Sequence, residues 1–129
     1  MTHTPNTSEH RLLIADDDVF IRDFLSRSLG RAGWCVECVA SGEEAIERLR
    51  KDPYAALICD LHMEGMGGRQ TIQKVQEIAP DMPIMVMTGD ETLDTERTIR
   101  HLQVFYYFVK PLEVAEVEQV LNSALGLVS

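Results

Sequence analysis

Apolar residues fall in short continuous runs separated by longer amphipathic stretches. Five runs have strand length: Leu12–Ala15, Trp34–Val39, Ala55–Cys59, Ile84–Met87 and Val104–Val109. Between them the apolar spacing changes to the helical period. From Val19 to Ala32, Ile21, Phe24, Leu25, Ser28, Leu29 and Ala32 share a predicted helix face, and Gly33 ends it. Ser41 with Glu44 three residues on reads as a capping box, opening a helix with Ala45, Ile46 and Leu49 that stops before Pro53. Gly65, Gly67 and Gly68 predict a loop free to adopt left-handed turns. A third helix then turns Ile72, Val75, Ile78 and Ala79 inward and ends before Pro80. A more polar fourth helix runs from about Leu93 to Leu102, its few apolar positions being Leu93, Ile99 and Leu102. A fifth carries Val117, Val120, Leu121, Ala124 and Leu125.

Strict alternation of five strands and five helices predicts an α/β fold with a parallel sheet. Near-continuous apolar strands are those of a sheet covered on both faces. In such folds the ligand site lies beyond the carboxyl ends of the strands, where the strand order reverses. A chain of 129 residues makes one domain with a core large enough to need no staples. Residues 1–10 read as a disordered tail, 11–126 as the domain and 127–129 as a short C-terminal tail.

The formal charge of −9 argues against direct nucleic-acid binding and against docking to an anionic membrane. No apolar run approaches the length of a membrane span, and the polar first residues carry no signal-peptide core. The expected location is therefore cytoplasmic. Cys35 and Cys38 match the letters of a CxxC motif. On a strand, residues three apart point to opposite faces about 10 Å from each other, too far for a disulfide. They read, like Cys59, as small core residues.

The chemistry gathers at the strand ends. Asp16, Asp17 and Asp18 follow the first strand, Asp60 the third, Thr88 the fourth and Lys110-Pro111 the fifth. Adjacent carboxylates repel unless a cation holds them, and Mg²⁺ is a hard cation suited to oxygen ligands. Asp16 and Asp17 with Asp60 form a candidate Mg²⁺ set, and Asp18 is placed to cap the following helix. A strand-end carboxylate such as Asp60 can attack phosphorus to give an aspartyl phosphate. Lys110 and the Thr88 hydroxyl can each meet a phosphoryl oxygen, and phosphoryl transfer needs little beyond positioning and charge stabilisation.

In order and spacing, Asp16-Asp17, Asp60, Thr88 and Lys110-Pro111 resemble the receiver domain of two-component response regulators. The likeness covers residues 11 to about 126 and includes the loop from Asp60 to Gly68. It implies a flavodoxin-like (βα)5 sheet in the order 2-1-3-4-5, a phosphoacceptor rather than an enzyme, and Asp60 as the acceptor. It further implies Asp17 and Asp60 as direct Mg²⁺ ligands, Asp16 beside the metal or acting through water, and the His62 backbone carbonyl as the remaining protein ligand. Thr88 would reorient toward the phosphate, Tyr107 would swing inward with it, and Tyr106 would face the other way. Lys110 would bridge to a phosphoryl oxygen across a cis bond to Pro111.

The implied donor is a sensor histidine kinase or histidine-phosphotransfer protein. The implied output is a protein effector, reached through the fourth helix, fifth strand and fifth helix, a surface that also admits a homodimer. No output module follows Leu125, so the output is a protein contact, a phosphate relay or a domain outside this chain. His62 and Asp90 are expected to flank the phosphoryl site and influence hydrolysis.

Three positions depart from the family pattern. Glu64 stands where Pro is usual, Gly67 where a capping Asp or Ser is common, and Gln103-Val104 where Gly-Ala is usual. A haloacid-dehalogenase-type phosphohydrolase would need a second acid two residues after the nucleophile, and here that residue is His62. A nucleotide-binding flavodoxin-like module would need an anion-cradling first loop, which three carboxylates are not. A phosphorylation-independent adaptor would not need the complete acid, Thr and Lys set.

Overall fold

The computed structural model describes residues 11–127, so the two expected tails lie largely outside it. Ten elements alternate: β1 (Arg11–Ala15), α1 (Val19–Arg31), β2 (Cys35–Val39), α2 (Gly42–Lys51), β3 (Ala56–Asp60), α3 (Gly67–Ile78), β4 (Ile84–Thr88), α4 (Leu93–Leu102), β5 (Tyr106–Val109) and α5 (Val114–Ala124). The strands form one parallel sheet in the order β2-β1-β3-β4-β5. The chain leaves β1 toward β2 on one side and β3 lies on the other, so the crevice of a doubly wound sheet falls between the ends of β1 and β3.

The period of two along each strand divides the interior into two cores. Leu13, Ala15, Leu57, Cys59 and Val86 face α2, α3 and α4, meeting Ile46, Leu49, Ile72, Val75 and Ile99. Leu12, Ile14, Ile58, Met85, Met87 and Phe108 face α1 and α5, meeting Leu25, Leu29, Val117 and Leu121. Both faces being covered is why these strands read as unbroken apolar runs. In the middle of the edge strand β2, Glu37 accepts from Arg11, Arg48 and the Tyr54 hydroxyl.

The helix starts follow local chemistry. Ser41 caps α2 by accepting from the Glu44 N–H. α3 has no side-chain cap, and the residue at its N-cap is Met66, one before Gly67. Several expectations need correcting. Phe24 on α1, Ala32 just past its end and Leu93 on α4 are exposed, because each helix buries a narrower stripe than its apolar letters imply. Cys35 and Cys38 are half-buried on the edge strand rather than core. β5 begins at Tyr106, not Val104. The chain leaves α4 through Gln103 at φ 56° and spends the next residues returning to the sheet, although the Phe105 N–H already reaches the Ile84 carbonyl.

Gln103 is the only non-glycine residue at positive φ among those described. A side chain there crowds the backbone, which glycine avoids. Gln103→Gly is expected to raise stability by about 0.5–1 kcal/mol, the left-handed penalty less the entropy cost of glycine, seen as a higher urea midpoint with an unchanged slope.

Candidate functional site

The three consecutive acids after β1 go to three different places. The Asp16 N–H still pairs with the Val39 carbonyl, as a continuation of the sheet. Its carboxylate is fully buried, with Oδ1 accepting from the Asp18 N–H at 2.9 Å and Oδ2 from Lys110 Nζ at 3.1 Å. Asp17 turns outward, and its Oδ2 accepts from the Glu64 N–H at 3.1 Å. A proline at position 64 could not make that bond. Asp18 caps α1, accepting from the Phe20 N–H. Asp60 ends β3 and is almost fully buried; its Oδ1 accepts from the His62 N–H and its Oδ2 from Lys110 Nζ at 3.3 Å.

Lys110 reaches the crevice from the end of β5, where its N–H pairs with the Thr88 carbonyl and its bond to Pro111 is cis. One ammonium thus spans Asp16 and Asp60. Oxygens of Asp16, Asp17 and Asp60 lie within 4.8 Å of one another. Three carboxylates against a single ammonium leave an anionic oxygen cluster, which fits a hard divalent cation such as Mg²⁺.

Gly68 makes this placement possible by being small. A Cβ there would lie 2.3 Å from the Asp60 carbonyl oxygen and 2.5 Å from Leu61 Cα. Of the three loop glycines, only Gly65 and Gly67 use positive φ; Gly68 supplies room where α3 starts against β3.

Burial raises the Asp60 pKa, the Asp16 charge adds to the rise, and the His62 N–H and Lys110 oppose it. The Lys110 pKa is raised against a desolvation penalty, by its bonds and charge interactions with Asp16 and Asp60. Burial thus disfavours the ionised form of Asp60, and the two neighbouring acids favour the cationic form of Lys110.

Thr88 and Tyr107 are not joined to this cluster. The buried Thr88 hydroxyl donates to the Asp90 carbonyl at 3.0 Å and accepts from the Asp90 N–H. Tyr107 is partly exposed on β5 and lines a groove of about 680 Å³ with Glu91, Glu96, Ile99 and Arg100. Tyr106 points to the opposite sheet face, its ring against Phe108 and its hydroxyl donating to Glu116. The His62 imidazole lies 3.5 Å from the Asp90 carboxylate, linking the loops after β3 and β4.

Two features escaped the sequence reading. Val19, Phe20 and Phe24 form an exposed apolar patch at the start of α1, Phe20 being 81% accessible. Arg22 donates to the Asp16 carbonyl at 2.8 Å. Its signal was an arginine in stride with Asp18, Leu25 and Leu29, on the side of α1 turned to the sheet.

A receiver-type fold with an acid cluster and a lysine at its crevice defines a class, and comparison with known proteins agrees. Residues 12–122 match the response regulator receiver domain model, and the chain belongs to that family. It is 27% identical over 115 residues to the transcriptional regulatory protein ZraR of Escherichia coli K12, covering 89% of this chain and 26% of ZraR. The chain thus spans about a quarter of the length of that relative. It is 39% identical over 79 residues to the response regulator receiver protein CpdR of Brucella abortus, covering 61% of this chain and 66% of CpdR. A crystal structure of a putative response regulator from Chloroflexus aurantiacus superposes with a TM-score of 0.85 at 30% identity, covering 91% of this chain and 98% of that one.

Receiver domains are signalling modules of two-component systems rather than enzymes; they bind Mg²⁺ at an acidic pocket and interact with histidine kinases and downstream effectors. Among the described residues, no helix is long and apolar enough to cross a membrane.

The Asp60 pKa gives a pH prediction. Because the folded-state value is raised, this group's contribution to stability is present below the ordinary carboxylate range and lost as pH rises through the folded value. Without metal, Asp60→Asn is expected to be more stable than wild type near pH 7, with the gap closing as pH falls. Thermal unfolding in chelator across pH 4–8 checks this.

Proposed function

We propose that Asp60 accepts a phosphoryl group from the phosphohistidine of a sensor histidine kinase or histidine-phosphotransfer protein. The observation that carries this reading is Lys110 Nζ between Asp16 and Asp60, at a crevice holding three carboxylates. Asp17, Asp60 and the His62 backbone carbonyl would hold Mg²⁺, with Asp16 beside it or acting through water. When bound, the ion supplies positive charge to the phosphoryl oxygens and relieves repulsion among the carboxylates.

A carboxylate oxygen of Asp60 forms the new O–P bond as the N–P bond of the donor breaks. The electron pair leaves with the imidazole nitrogen, and nothing is oxidised or reduced. Lys110 exchanges part of its contact with Asp60 for a phosphoryl oxygen. The Thr88 hydroxyl leaves its turn with Asp90 for another, and Tyr107 moves inward. This biases an equilibrium between two arrangements of the α4–β5–α5 surface, read by a protein effector. The exposed Val19, Phe20 and Phe24 at the start of α1 supply an apolar surface, on the helix that follows the Asp16–Asp18 turn, on which the donor can dock. The same output surface is open to a homodimer, and an acidic chain acting in the cytoplasm needs no direct nucleic-acid contact.

Incubation with a small phosphodonor and Mg²⁺ should add one phosphoryl group by intact mass to wild type and none to Asp60→Asn. No gain in wild type, where a known receiver is labelled, would leave only the adaptor reading. A further expectation concerns the His62–Asp90 contact over the loops. His62→Ala and Asp90→Ala should each shorten the aspartyl-phosphate lifetime several-fold by admitting water, and unchanged lifetimes would remove that contact from the mechanism.

A further inference from the structure

We propose that Arg22 is a positioning residue that sets the geometry of the Mg²⁺ site through the main chain; the inference rests on reading the acid cluster as that site. β1 ends at Ala15, so the Asp16 carbonyl lies beyond the sheet ladder. Asp16 is fully buried, and a buried carbonyl needs a donor. Arg22 Nη1 supplies it at 2.8 Å. The Arg22 N–H also donates to the Asp18 carbonyl at 3.2 Å, in the first turn of α1. That second bond is the ordinary helical one, so the side chain that reaches back to Asp16 is rooted in the helix that the Asp16–Asp17–Asp18 turn leads into.

The Asp16 carbonyl belongs to the peptide plane joining Asp16 to Asp17. Its direction decides where the two flanking side chains go: Asp16 inward to Lys110, Asp17 outward to the Glu64 N–H. With the carbonyl released, the plane can rotate toward water and carry both carboxylates off their positions. Among the described residues the Arg22 side chain bonds to the Asp16 carbonyl and to neither carboxylate, so any hold it has on them by contact runs through this turn.

Position and charge make opposite predictions. Arg22 is a cation beside an anionic cluster. If it acted only through its charge, removing it would strengthen Mg²⁺ binding. If it holds the turn, removing it weakens binding, and loss of a residue that orients metal ligands costs roughly tenfold or more in affinity.

The test is a Mg²⁺ titration of the full chain followed by backbone amide NMR shifts, with thermal unfolding in chelator measured in parallel. Arg22→Gln is expected to bind Mg²⁺ roughly tenfold more weakly than wild type. Arg22→Lys, which keeps the charge on a shorter stem, is expected to fall between the two and serves alone if the Gln variant does not fold. Equal or tighter binding by Arg22→Gln overturns the proposal, as does a lowered melting temperature with unchanged affinity, and so does wild-type affinity in Arg22→Lys when that variant stands alone. Absence of Mg²⁺ binding by wild type would instead overturn the parent reading of the site.

Discussion

A single ammonium holds the crevice together. Lys110 arrives from the last strand of the sheet and spans carboxylates delivered by the first and third strands. Without that cation, two buried acids would face each other at the switch point of the sheet, a costly arrangement in a low-dielectric setting. With it they coexist, but incompletely: the Asp60 pKa stays raised, and the third carboxylate, Asp17, has no part of the lysine. The residual negative charge is what a divalent cation can use.

The rest of the fold serves the placement of these few atoms. Two cores, one on each sheet face, fix the strands and therefore the points where β1, β3, β4 and β5 release their end residues. Close backbone approaches complete the work at the loops. α3 starts so near β3 that only Gly68 fits, and the loop after β3 is tied to the outer acid by a main-chain N–H at Glu64. Thr88 and Tyr107 stand apart from the acids, one engaged in its own turn and the other at the surface. The acids and the lysine thus form one cluster, with Thr88 and Tyr107 engaged outside it.

Much of this was legible because the physics is local. Strand and helix alternate by period, Ser41 and Asp18 cap the helices they precede, and chemically capable residues sit at strand ends. Misreadings arose where one face had to be chosen from letters alone. Phe24 and Leu25 are equally apolar neighbours, yet Leu25 is buried and Phe24 exposed. Gly68 looked like its neighbours Gly65 and Gly67, but it is needed for space and they for conformation. Arg22 left only a faint trace in the stride of α1.

The sequence by itself determined the order of the elements, the parallel sheet and the identity of the acid, threonine and lysine residues, since periodicity and motif spacing depend on near neighbours in the chain. Only the tertiary structure decided how three consecutive aspartates divide their roles, which of them meets Lys110, what backs Asp16, and that Phe20 stands in water. Those outcomes depend on atoms brought together from distant parts of the chain, where a one-residue turn of a helix or the tilt of a single peptide plane redirects a side chain, and no local pattern encodes that angle.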